Sequence, residues 1–169
     1  FEFEMPGDLN ALKKMEYELV EYLGFKKPTE KTYVDWQNHY GIKYDEELTA
    51  EHETKMYEDF TTAMITNFPE MTSPFWNMSR YWDGETSKKI DVILGGMETI
   101  GSAERSTNVD QMRDTFHSIT DGAYSKLLFE LFGKERVEAE LEEFLKFDFF
   151  PRVGGGIGMT RMIAALDTI

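Results

Sequence analysis

No cysteine occurs among the 169 residues, so disulfides, thiolate metal sites and thiol catalysis are excluded. Histidine is almost as scarce: His39, His52 and His117 stand far apart in the chain, and they do not add up to a histidine-based zinc site. Long apolar runs are missing too. None approaches the roughly 18 to 20 residues that a membrane-crossing helix needs, and no basic-then-apolar leader precedes a small-residue cleavage site. These absences read as a cytoplasmic protein with no membrane partner. Positive charge is also in short supply, with 18 Lys and Arg against 32 Asp and Glu, a formal −14. A surface of that sign repels a polyanion, so this chain by itself is poorly equipped to grip nucleic acid, and much of its acidity belongs to a solvated surface.

What the chain has in quantity is apolar and aromatic material: 41% hydrophobic residues, including 13 Phe, 8 Tyr and 3 Trp, enough to build a real core in one domain. No repeat, low-complexity tract or interdomain linker interrupts it. Phe1–Met5 alternates apolar and charged residues at strand period, without an initiator methionine, as though the numbering began inside a β-strand. Asp8 is placed to cap a helix whose Leu9, Leu12, Met15, Leu19 and Leu23 recur at three and four residues, with Gly24 at its end. Lys26–Asn38 reads as a loop and a short aromatic stretch, with Tyr33 and Trp36 as core anchors. Thr49 caps a second helix predicted to reach Met64, with Glu51 and Glu53 near its positive end. Adjacent helical residues diverge, so Glu51-His52-Glu53 is a solvated triplet in preference to a metal site.

Strands are predicted at Ala63–Phe68 and Phe75–Tyr81, the latter followed by an Asp83-Gly84 turn, and at Ile90–Leu94 and Met97–Ile100 around Gly95-Gly96. Val109–Ser118, Tyr124–Phe132 and Val137–Phe144 read as helices. The fold class that emerges is α+β, an antiparallel β-sheet flanked by helices.

Three features carry chemistry. Phe149–Leu166, FFPRVGGGIGMTRMIAAL, sets four glycines within five residues before a helical stretch, gathering backbone amides and Arg161 at a strand-to-helix junction. Such a bend either packs tightly or cradles a phosphate. Asp91 and Glu98 lie on neighbouring β-rich segments; paired carboxylates beside a phosphate site suit magnesium, although in so acidic a chain such a pair also arises by chance. Arg105 follows the second of those segments and can present a planar fork of donors to a carboxylate or amide.

Together these residues resemble a known family. Ile90–Ser106, IDVILGGMETIGSAERS, followed by the glycine-rich run, is similar to the catalytic domain of class II aminoacyl-tRNA synthetases of the aspartate, asparagine and lysine subgroup. Asp91, Glu98, Arg105 and Arg161 fall in order on that family's aspartate, glutamate, arginine and third-motif arginine. The likeness extends more faintly over the chain, with Phe1–Met5 resembling the strand that leaves the second signature motif and Phe68–Met78 the family's proline-aromatic strand pair. Residues 1–169 would then form a class II catalytic domain lacking the first and most of the second signature motif. The resemblance implies ATP and Mg2+ as cofactors, with Asp91 and Glu98 holding the metal. It implies that Arg161, Gly156 and Gly158 meet the nucleotide, that Phe1 stacks on adenine, and that Arg105 reads the side chain of aspartate or asparagine. Glu98, Arg105 and Arg161 would serve catalysis, and the protein would be a homodimer forming an acyl-adenylate.

Two local departures bear on the acceptor of the acyl group. Thr160 stands before Arg161 where the tRNA synthetases usually carry glutamate, and Gly101-Ser102 reverses their common order. A small hydroxyl residue before the arginine is similar to the ammonia-dependent asparagine synthetase, a relative on the same fold that needs no tRNA. Three readings stay open: a tRNA-ligase-like enzyme, tRNA-independent asparagine synthesis, and a catalytically silent paralogue. One constraint is geometric. Residues seven apart on an unbroken strand face opposite sides, so a site shared by Glu98 and Arg105 predicts a break in alternation, placed at Gly101-Ser102.

Overall fold

A computed structural model describes residues 1–169. The chain runs β1 (Glu2–Pro6), α1 (Leu9–Tyr22), β2 (Thr29–Thr32), α2 (Tyr33–Tyr40), α3 (Ala50–Phe60), β3 (Thr62–Pro69), β4 (Thr86–Leu94), β5 (Met97–Glu104), α4 (Val109–Ser118), α5 (Ala123–Phe132), α6 (Lys134–Leu145), β6 (Arg152–Ile157) and α7 (Met159–Leu166). The six strands form one sheet in the order β1-β6-β5-β4-β3-β2. Every neighbouring pair is antiparallel except β2 and β3, which run parallel. That pair is joined through α2 and α3, because parallel neighbours need a long crossover where antiparallel ones need only a turn.

Alternation along the strands sorts the two faces. Ile90, Val92 and Leu94 of β4 and Ile100 of β5 point to one side, where Leu9, Leu12 and Val20 of α1 and Met162 and Ala165 of α7 cover them. On the other side, Ile93, Ala63 and Ile65 meet Tyr33 and Trp36 of α2 and Met56 of α3, so the two predicted aromatic anchors are core. The Trp36 indole N–H donates to the Met64 carbonyl at 3.1 Å. A third apolar cluster joins Trp76, from the segment between β3 and β4, to Met112 and Phe116 of α4 and to Val137 and Leu141 of α6.

Local chemistry explains most boundaries. Asp8 accepts from the Ala11 N–H at 2.9 Å at the start of α1, and Thr49 with His52 closes a capping box on α3. Helix α3 ends at Phe60, short of the predicted Met64, because Thr61 turns to φ 70° and the next residues enter β3. Nearly every residue of β3 is buried, and an apolar run covered on both faces carries no period by which to tell strand from helix. The residues 26–38 read as loop and aromatic stretch supply β2 and the start of α2.

The predicted strand Phe75–Tyr81 is absent, and only isolated bridges, Met78 to Arg105 and Arg80 to Ser87, remain of it. Arg80 is the cause. Its buried guanidinium donates to the carbonyls of Pro74, Phe75 and Met78 and pairs with Glu70, gathering the segment into a compact loop. The glycine run differs as well: Gly154, Gly155 and Gly156 lie inside strand β6, between β1 and β5, and only Gly158 stands at the helix start.

Glu16 interrupts the apolar face of α1 and is wholly buried. The Ser102 hydroxyl donates to its Oε1 at 2.5 Å, while Oε2 has no partner. Burial pushes its carboxyl up to about 8, the Ser102 bond opposing and Asp91 adding to the rise. An acid raised on folding contributes stability in full below its unfolded value and loses it as pH climbs to the folded one. Glu16→Gln should therefore match the wild type near pH 4.5 and gain on it up to pH 8, by at most about 1.4 kcal/mol per pH unit, in paired urea titrations.

A second expectation concerns the glycines of β6. A methyl group on Gly155 would stand 2.5 Å from Ser102 Cβ and 2.6 Å from the Gly101 carbonyl oxygen, whereas on Gly156 it would meet nothing nearer than 3.9 Å. Gly155→Ala should lower the unfolding midpoint by the equivalent of about 1–3 kcal/mol, the usual cost of overpacking, and Gly156→Ala should not.

Candidate functional site

Glu98 and Arg105 share a face because β5 carries a bulge. Val92 of β4 is opposite Ile100 and Ile93 is opposite Glu98, which leaves Thr99 as an extra residue. The break in alternation exists as expected, two residues before the predicted Gly101-Ser102. Beyond it, Ser102 points to α1 and Glu104 accepts from the Leu9 N–H at 2.9 Å, on the covered face. Gly101 and Arg105 point the other way, together with Glu98.

Pairing then lines up a rung across the sheet: Glu2 opposite Gly156, Gly156 opposite Gly101, and Gly101 opposite Asp91. Two bare backbones occupy its centre and carboxylates its ends. The next rung runs from Glu4 through Gly154 and Ala103 to Lys89. Glu2, Glu4, Gly101, Arg105, Gly155 and Gly156 line an open cleft of about 390 Å³ over these glycines. Glycine inside a strand marks a place where something approaches the backbone closely. The glycine run thus serves as the floor of a cleft instead of a bend around a phosphate.

At one end of the floor, Asp91 and Glu98 converge. A methyl group on Gly101 would stand 2.5 Å from Glu98 Oε1 and 3.5 Å from Asp91 Oδ1. Asp91 is buried; its Oδ2 pairs with the Lys89 ammonium, which lies 3.9 Å from the Phe68 ring centroid, and its Oδ1 has no hydrogen-bond partner. Burial pushes the Asp91 carboxyl up to about 7, with Lys89 opposing and Glu98 adding to the rise. Arg161 sits beside Glu98: its Nη1 donates to the Glu98 carbonyl at 2.6 Å and lies 3.7 Å from Glu98 Oε2.

No group of three or more histidine or carboxylate side chains is arranged to hold a metal ion. The two carboxylates nonetheless fit magnesium, which commonly takes one or two from the protein and the rest of its shell from phosphates and water. The orphaned Asp91 Oδ1 beside Glu98 is the kind of hard oxygen it requires.

At the other end stands Arg105, largely buried, with Nε donating to Glu4 Oε1 at 2.8 Å. Arg152 approaches the same carboxylate, 4.0 Å from Oε2, and its Nη1 is buried without a partner. Burial lowers the Arg152 guanidinium, Glu4 opposing and Arg105 assisting. Phe1 lies at the rim, more than two-thirds exposed, its carbonyl accepting from the Ile157 N–H at 2.7 Å. Gly158 begins α7, with the Arg161 side chain 3.4 Å from where its Cβ would be.

The structure therefore gathers Asp91, Glu98 and Arg161 at one end, Arg105 at the other and Gly156 between them. Sequence reasoning missed Glu2, Glu4, Lys89 and Arg152, and it placed Glu53 only as a helix-dipole partner. Glu53 Oε2 accepts from the Glu98 N–H at 2.8 Å, and burial raises its carboxyl. The strand alternation of Phe1–Met5 and the register Glu2 to Glu4 held a signal for two of these; nothing local to Glu53 or Arg152 held one.

Comparison with known proteins agrees with this architecture. A family model described as tRNA synthetases class II (D, K and N) matches residues 8–168. An aspartate–tRNA(Asp) ligase from Pyrobaculum aerophilum is 25% identical over 128 residues, covering 75% of this chain and 27% of that protein. The structure of asparaginyl-tRNA synthetase from Pyrococcus horikoshii complexed with asparaginyl-adenylate superposes with a TM-score of 0.76 at 18% identity, over 99% of this chain and 44% of that one. An aspartyl-tRNA synthetase from Entamoeba histolytica gives 0.70 at 16%, over 98% and 40%. The chain thus spans about a quarter of the curated relative and less than half of the solved ones. On the match over nearly its whole length, this chain belongs to the class II tRNA synthetase family of the D, K and N type.

Proposed function

We propose that the cleft activates aspartate or asparagine with ATP, as the C-terminal portion of a class II catalytic domain that lacks the first and most of the second signature motif. The observation that carries this reading is the convergence of two carboxylates and an arginine at one end of a glycine floor, with a second arginine at the other. In the reaction, the amino acid's α-carboxylate attacks the α-phosphorus of ATP, an oxygen–phosphorus bond forms, and pyrophosphate departs. That chemistry needs charge neutralisation and in-line positioning more than proton transfer.

Each residue has a task suited to its place. Arg161, half-exposed at the start of α7, meets the nucleotide's phosphates. Gly156 and Gly158 let the nucleotide approach the backbone, and Phe1 at the rim stacks on the base. Asp91 and Glu98 hold magnesium, which when bound neutralises phosphate charge. Arg105 orients the side chain of the amino acid, and Glu4 holds the guanidinium in place before substrate arrives. A homodimer and a tRNA acceptor belong to the same reading. The −14 charge of this chain disfavours its own contact with tRNA. Thr160 favours a second reading, in which ammonia displaces AMP from a β-aspartyl-adenylate and releases asparagine.

Pyrophosphate exchange into ATP, measured on the intact protein across a panel of amino acids, should be stimulated by aspartate or asparagine. Its absence with every amino acid would favour a silent paralogue. Free asparagine made from aspartate, ammonia and ATP without tRNA would decide for the second reading.

The two arginines should separate kinetically. Arg161→Ala is expected to raise the KM for ATP about tenfold or more whatever the amino acid, and Arg105→Ala to raise the KM for the amino acid by a similar factor, as loss of a charge-assisted hydrogen bond implies. Identical effects of both substitutions on both substrates would overturn these assignments.

A further inference from the structure

Glu98, which the bulge brings to the site, is paired with Ile93 of β4 on one side and has no strand partner on the other. The last rung between β5 and β6 is Ile100 with Ile157, so β6 does not reach Glu98. Its N–H is instead taken by Glu53 Oε2 at 2.8 Å, from a helix 45 residues earlier, and its carbonyl by Arg161 Nη1 at 2.6 Å. Both backbone polar groups of this one residue are thus held by side chains, one from α3 and one from α7.

We infer that Glu53 is a positioning residue: by accepting the Glu98 N–H it fixes the bulge, and with it the direction of the Glu98 carboxylate towards Asp91. The inference rests on the reading of Glu98 as a magnesium-holding group. A second contact ties the same helix to the same place. The β4–β5 turn packs directly on α3: a methyl group on Gly96, at φ +80°, would stand 3.5 Å from Thr54 Cα and 3.7 Å from Tyr57 Cβ. With the turn seated on the helix backbone, Glu53 is presented at a fixed distance to the first residue beyond Met97. A half-buried N–H without an acceptor would favour another bulge position, and slippage by one residue would return Glu98 to the covered face. The helix-dipole role of Glu53 does not account for this. Glu51 lies in the same first turn, exposed, and serves that role without a bond to Glu98.

The test compares Glu53→Ala, Glu53→Gln and Glu51→Ala in the intact protein. Glu53→Ala should raise the magnesium concentration for half-maximal pyrophosphate exchange about tenfold, the scale of a lost bond to a charged group, with the KM of the amino acid unchanged. Glu53→Gln, whose amide oxygen still accepts, should recover most of that loss, and Glu51→Ala should match the wild type. Without turnover, hydrogen exchange at the Glu98 amide in the metal-free protein should quicken in Glu53→Ala and stay slow in Glu53→Gln.

An unchanged magnesium requirement with unchanged amide exchange would overturn the inference. So would a Gln variant no better than Ala, or a loss spread equally over the amino acid's KM. If Glu53→Ala does not fold, Glu53→Asp, one methylene shorter, takes its place with a smaller expected shift in the same two measurements. If the wild type exchanges pyrophosphate with no amino acid, the proposed function fails, and the amide measurement still decides whether Glu53 holds Glu98.

Discussion

Side-chain alternation on β5 is the constraint on which the rest of the structure depends. A strand has only two faces, and here one is committed to the core through Ile100, Ser102 and Glu104, which meet α1. Whatever chemistry the strand offers must come from the residues between. Without Thr99 as an extra residue, Glu98 would fall on the core side while Arg105 stayed outside. One inserted residue therefore decides whether an acid and a base belong to one cleft. Glu98 itself lies beyond the last β5–β6 pair, and there side chains from α3 and α7 take its N–H and carbonyl.

Much of this was legible in the sequence where periodicity was strong or a residue type was scarce. Helix α4 and helix α7 begin and end where their patterns say they should, and Asp8 caps α1. The need for a bulge followed from counting residues between Glu98 and Arg105. Its position did not, because glycine permits a bulge cheaply without requiring one, and Thr99 carries no mark of being extra. The segment 75–81 failed for a tertiary reason: Arg80 supplies donors to three carbonyls, and no local pattern announces where an arginine will reach. The glycine run reads in the sequence as a bend, for packing or for a phosphate, and lies instead within β6, since a strand with neighbours on both sides is not visible until the sheet is assembled.

Charge is organised very differently in the cleft and over the molecule as a whole. The chain is strongly acidic, yet around the glycine floor each cation meets a carboxylate: Lys89 with Asp91, Arg105 and Arg152 with Glu4, Arg161 with Glu98. Half-buried pairs of this kind gain less than their Coulomb attraction implies, because both partners lose hydration. Their value lies in geometry. Each pair fixes the position of a cation beside the cleft, and Glu4 is divided between two guanidiniums, with Arg152 Nη1 left buried and without a partner.

The glycine floor also bears on the entropy of any encounter above it. Side chains that freeze when a guest settles oppose association by roughly 0.5–1.5 kcal/mol apiece. Gly156 has no rotamer to lose, stands open with nothing nearer than 3.9 Å to where its Cβ would be, and is already held by a neighbouring strand on each side, whereas the Glu98 and Glu4 carboxylates lie over Gly101 and Gly154. A flat molecule laid on Gly156 would find a surface that is rigid beforehand at that point, and the ordering of the carboxylates on either side would set the selectivity of contact.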